Sequence, residues 1–290
     1  MGDAAQGEPR RHEVFSKTFK VQPACEFWKT PSNYREYPGG KDLPDKTKVW
    51  RVQNTGKNVG GVVSHCFGYE DSPDAEVLTA GFNDGKESGA VGVGRHGNFL
   101  QWGFSGPPSR MTEPGKRFFL NCICYVHKFD GKPPLIRVQA SDRLRAVELA
   151  LVSNRIKNPK YRTDTFAADL LDKSKGDAAL LAKFYQDNLE LVYRDKKYCI
   201  DLELPAMGLQ SNRKVETLKR LIELLDDPRH AADAREALRR YTRESFETPQ
   251  EWRAWFEKSR DRIYFTDVGG YKFLVAPEGY PVRPQPTRQP

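Results

Sequence analysis

A histidine beside a cysteine, His65-Cys66, stands just ahead of an acidic run, Glu70, Asp71, Asp74 and Glu76. Thiol, imidazole and carboxylate together could support nucleophilic chemistry or hold a cation. The segment around them reads as a strand, however, and neighbours on a strand point to opposite faces. The two side chains are therefore expected to part, and Asp71-Ser72-Pro73-Asp74 has the composition of an ordinary turn. Cys122, Cys124 and His127 form a second group, on a helix. Residues two apart on a helix diverge by about 200°, so the two cysteines cannot chelate one ion and read as buried thiols. Neither group makes a metal site.

Gly92–Gly97, "GVGRHG", fits the dinucleotide-loop pattern G-x-G-x-x-G. That loop needs a strand before it and a helix after it, because the pyrophosphate rests on the helix N-terminus. The residues after Gly97 are "NFLQWGFSGPP", a strand. The stretch reads as a β-hairpin turning at His96-Gly97-Asn98, and no cofactor is expected. Gly103-Phe104-Ser105-Gly106-Pro107 approaches the nucleophile elbow G-x-S-x-G, but Pro107 stands where the second glycine belongs. The backbone N–H after Ser105 leaves a place for an anion at this strand end. Trp252, Trp255 and Phe256 share one helical face, which suits a core stripe better than a carbohydrate platform. No catalytic set of acid, base and nucleophile emerges from these residues.

The elements that would position them change character along the chain. Up to about residue 140, short alternating runs such as "TKVWRVQN" and "AEVLTAGFN" read as strands separated by turns. One helix interrupts them, capped by Thr112 and running through "GKRFFLNCICYVHKF" to Phe129. Beyond residue 140 the period becomes helical, with helices expected at Asp142–Ile156, Asp177–Tyr193, Ser211–Leu225, Ala231–Tyr241 and Pro249–Ser259. Thr248, Pro249 and Glu251 make a capping box for the last of these. "RIYFTDVGGYKFLVAP" reads as a closing hairpin. The expected divisions are a loose N-terminus at 1–11, a β-rich α/β region at 12–139, a helical region with its hairpin at 140–276, and a Pro-rich tail at 277–290.

Composition narrows the function classes. The net charge of +8 is shared evenly, with 19 Lys+Arg against 15 Asp+Glu in residues 1–140 and 28 against 24 in the remainder. Interspersed signs describe a solvated surface rather than a nucleic-acid face. No apolar run is long enough to span a bilayer, and neither nucleic acid nor membrane is expected as a partner. Five scattered cysteines make a poor disulfide framework and favour a reducing compartment.

Residues from about His12 to Phe129 resemble the C-terminal half of the ThuA-like branch of the class I glutamine amidotransferase-like fold, in versions found in uncharacterised bacterial proteins. The residues that carry the resemblance are "HEVFSKTFKV", "SGAVGVGRHGNFLQWGF" and the strand–loop–helix "FLQWGFSGPPSRMTEPGKRFFLNCICYVHKF". It implies an α/β fold whose β-rich part is half of a flavodoxin-like or amidotransferase-like sheet, followed by a mostly helical region with a short terminal hairpin. It also implies a link to carbohydrate metabolism. The loop after the final strand departs from the family, reading Ser105-Gly106 where a Gly-His pair is common. The expectation is a non-catalytic or degenerate module that serves as a binding or scaffold unit for a small carbohydrate or a protein. The rival is a sugar-directed hydrolase or isomerase, and a third reading is a protein-interaction module using the helical half. Glu70, Arg95, His96, Trp102 and Ser105 are the candidate ligand-binding residues. The expected compartment is the cytoplasm, or the periplasm if a further N-terminal segment precedes the chain.

Overall fold

The computed structural model of the chain describes residues 1–37, 39–56, 61–66, 69, 72–136, 141–156, 158 and 160–280. It divides into two compact units. The first takes in Met1–Glu70 and Asp74–Leu135, and the second runs from Ile136. No helix among the described residues is long and apolar enough to cross a membrane.

The first unit is built on a curled sheet of six strands: β1 (Ala4–Gln6), β2 (Cys25–Lys29), β3 (Lys46–Arg51), β4 (Ala75–Gly81), β5 (Val91–His96) and β6 (Phe99–Trp102). Their order across the sheet is β2-β3-β1-β4-β5-β6. The β-rich α/β region expected here is present. Every pairing in it is antiparallel, whereas a flavodoxin-like sheet is parallel, so the likeness does not extend to strand direction. GVGRHG forms β5, and Gly97 turns the hairpin at φ +56°, where an L-residue with a side chain is strained.

The first residues are not loose. Ala4 and Ala5 are fully buried, and β1 joins β3 to β4 by pairing Ala5 with Trp50 on one side and Gly81 on the other. Small residues and one glutamine carry no strand signal of their own, and it is the two neighbouring strands that fix this segment.

Helix α1 (Glu113–Val126) covers one face of the sheet. Thr112 Oγ1 caps it by accepting the Gly115 N–H at 3.1 Å. Phe118 reaches inward to stack on Phe15 and meet Trp50 and Trp102 edge-on or tilted. A Cβ on Gly115 would lie 2.0 Å from the Val52 carbonyl oxygen, so the glycine permits this close approach of helix to sheet.

The second unit comprises helices α2 (Leu144–Val152), α3 (Tyr161–Thr165), α4 (Ala168–Ser174), α5 (Ala178–Asp187), α6 (Glu203–Ala206), α7 (Val215–Leu224), α8 (Ala231–Tyr241) and α9 (Pro249–Ser259). Two small hairpins complete it: β7 (Val192–Arg194) with β8 (Tyr198–Ile200), and β9 (Ile263–Thr266) with β10 (Lys272–Val275). The helix expected up to Tyr193 stops at Asp187, because the apolar residues beyond Asn188 serve the β7–β8 ribbon instead. On α7, Leu218, Leu221 and Ile222 are buried as one stripe against Trp252 and Phe256 of α9. Trp252 is thus core, with its Nε1–H given to the Phe246 carbonyl at 3.1 Å, and α9 starts on the predicted capping box. Buried Arg143 anchors the hairpin end by donating from Nε and Nη2 to the Asp267 carboxylate at 2.6–3.1 Å and from Nη1 to the Leu189 carbonyl at 2.7 Å.

Candidate functional site

The register of β4 on β5 sets Glu76 directly opposite Arg95, and opposite charges across an antiparallel pair attract. Arg95 Nε donates to Glu76 Oε1 at 2.6 Å, and Tyr125 OH, arriving from α1, donates to the same oxygen at 2.5 Å. The other oxygen lies 3.4 Å from His12 Nε2. His12 Nδ1 accepts the Val14 N–H, so the ring proton sits on Nε2 and points at Glu76. Arg95 Nη1 donates to the carbonyls of Asp74 and Gly97 at 2.9 and 2.8 Å, and the guanidinium lies 3.7 Å from the Phe129 ring centroid.

Burial by itself would push the Glu76 carboxyl up. The hydrogen bonds from His12, Tyr125 and Arg95, with the charge of Arg95, outweigh burial and hold it well below the usual carboxylate range. The Tyr125 hydroxyl is pushed far up, first by burial and then by the Glu76 carboxylate it serves. Four segments are thereby tied to one buried carboxylate, and Arg95, 3% exposed, is committed to the interior.

The remaining sequence-predicted residues disperse. His96 lies on the opposite face of β5, with Nε2 3.4 Å from Asp74 Oδ1. The other Asp74 oxygen accepts the Leu135 N–H at 2.8 Å. Trp102 is on the α1 side and packs on Phe104, Phe118 and Phe119, where it fills core rather than facing a ligand. Ser105 is exposed on the loop after β6. The anion place expected beside it is closed, because the Gly106 N–H already donates to Gln53 Oε1 at 2.8 Å. Glu70 lies outside the described residues. Arg95, His96, Trp102 and Ser105 therefore do not converge on one concave site.

A different group does converge. His65 and Cys66 sit on a bend rather than a strand, and both reach Glu87. Glu87 Oε2 is 2.7 Å from His65 Nδ1, and the Cys66 thiol donates to Oε1 at 3.9 Å. The expectation that the two side chains part is overturned: without a pleat, nothing forces neighbours apart. Burial would raise the Glu87 carboxyl, and the His65 hydrogen bond and charge overcome it and keep it low. Beside them, Ser64 Oγ and Tyr69 OH donate to Gln101 Oε1, and Gln101 Nε2 donates to the Val91 carbonyl. A carboxylate that orients an imidazole through Nδ1 is a proton-transfer pair. Glu87 carried no signal in the sequence, where it is one charge in the turn-rich stretch "NDGKESG".

On α1, Cys122 is buried and Cys124 exposed. Among the described residues, no group of three or more His, Cys, Asp or Glu side chains could hold a metal ion. The chain matches no family model, no curated protein and no solved structure.

Proposed function

We propose that this chain is a non-catalytic, ThuA-like binding or scaffold module, with its link to carbohydrate metabolism resting on the family resemblance. The observation that carries this reading is the commitment of Arg95. Its Nε and Nη1 serve Glu76 and two backbone carbonyls, in a position where a sugar-processing enzyme would need a donor facing substrate. The test joins an activity screen to a stability measurement. The chain is assayed for hydrolysis and isomerisation of a panel of mono- and disaccharides, and Arg95→Gln and His96→Gln are compared by thermal unfolding. The reading expects no turnover and a lower melting temperature for Arg95→Gln. A sugar-directed activity that His96→Gln abolishes while its melting curve stays unchanged overturns it.

A second reading, the sugar-directed hydrolase or isomerase, is favoured by the His65–Glu87 pair rather than by Arg95. It expects turnover in the same screen that His65→Gln and Glu87→Gln remove.

A further inference from the structure

Helix α1 is apolar on two faces. Phe118, Cys122 and Tyr125 point into the core, while Leu120 and Ile123 on the outer face are 45% and 46% exposed. A surface helix ordinarily turns polar residues outward, and one that is apolar all round is ordinarily covered. Phe19, 41% exposed, extends this face and is held in place. Asn121 accepts the Phe19 N–H at 2.9 Å through Oδ1 and donates from Nδ2 to the Phe19 and Val14 carbonyls at 2.7 and 2.9 Å. The chain beside the helix is therefore pre-set, which lowers the ordering penalty of docking.

The charges around this face have one surplus sign. Glu13 is taken by Lys17 and Lys128, and Glu113 by Arg117. Exposed Lys20 and Lys116 have no acidic partner among the described residues. We infer that the outer face of α1, with Phe19, is a docking surface for an acidic amphipathic helix of a separate protein, whose apolar stripe covers Leu120, Ile123 and Phe19 while its carboxylates meet Lys20 and Lys116. A second copy of this chain would bring the same positive surplus against itself and fits less well. The inference goes beyond the scaffold reading, which stands without it.

The experiment uses the full chain and a fluorescein-labelled helical peptide of roughly 18 residues, five turns, with leucines at i, i+3, i+4 and i+7 and glutamates elsewhere. Anisotropy is compared with a scrambled peptide and with one in which lysine replaces glutamate. The glutamate peptide is expected to bind more tightly than either, by roughly tenfold. Leu120→Glu/Ile123→Glu should remove that advantage, and Lys20→Glu/Lys116→Glu should reverse the preference toward the lysine peptide, with melting temperatures unchanged in both variants. Equal binding of the three peptides overturns the inference, as does indifference to either double variant. So does a dimer in sedimentation that Leu120→Glu/Ile123→Glu dissolves, which would assign the face to a second copy. Leu120-dependent binding to vesicles of mixed neutral and anionic phospholipid, without peptide binding, would assign it to a membrane.

Discussion

Replacing Arg95 by methionine isolates the contribution of the buried ion pair to the first unit. Its side chain and that of Glu76 are 4% and 7% exposed, so solvent screening gives little relief. Removing one partner of a buried pair leaves the other charge uncompensated, at about 3–5 kcal/mol. Other losses are smaller. The Asp74 carbonyl keeps the Gly97 N–H at 2.9 Å, and the methionine sulfur can still lie against Phe129, where the guanidinium now sits. The expected loss is about 4 kcal/mol, a fall of roughly 12 °C in melting temperature for a unit of this size. The decisive comparison is Glu76→Met added to Arg95→Met. With both charges gone, only the Tyr125 hydroxyl lacks its acceptor, so the double variant should recover about 2 kcal/mol over the single one. Urea unfolding followed by near-UV circular dichroism measures all three proteins. A loss below about 1 kcal/mol for Arg95→Met, or a double variant no more stable than the single, would refute the assignment of this pair as the anchor.

Acid should weaken the same anchor. The folded Glu76 value is depressed, so its contribution is present above the unfolded carboxylate value of about 4.3 and is lost as pH falls through and below it. The stability gap between the wild type and Glu76→Gln should narrow between about pH 5 and pH 3 in urea titrations, and a constant gap contradicts this. Gly97→Ala should destabilise far more than Gly131→Ala. Both glycines have positive φ, but a Cβ on Gly97 would lie 2.6 Å from Pro134 N, while one on Gly131 meets nothing within 4 Å; thermal melts of the two variants check the order. Burial pushes the Cys122 thiol far up, so brief iodoacetamide labelling read by peptide mass spectrometry should mark exposed Cys25 and Cys124 first and Cys122 only after unfolding.

The parts of this fold that the sequence spelled out are those decided within a few residues. The hairpin at Gly97, the Thr112 cap and the Thr248–Glu251 capping box each depend on local hydrogen bonds or one φ angle, and the residue types that supply them are few. The outward-facing candidates failed for a different reason. Arg95 was legible as a charge on a strand, but its partner lies 19 residues away across the β4–β5 register, and register is not written locally. His65 and Cys66 were separated by assuming a pleat that the chain does not form there, and Glu87, the residue that unites them, is 22 residues from His65. In the second unit, α4 and α6 and the β7–β8 ribbon went unread because such short elements carry too little periodic signal to stand out.

The position of β1 bears on how the first unit comes together in time. β2 with β3, and β4 with β5 and β6, are neighbours along the chain and can zip locally. The strand that welds these two pieces into one sheet is Ala4–Gln6, and its partners at Trp50 and Gly81 are synthesised long after it. Two finished ribbons must therefore wait for a segment with no strand preference to thread between them, each presenting an open edge meanwhile. Assembly of the sheet becomes a late, all-or-none closure, and a chain cut just after Gly7 would keep both ribbons while losing the seam.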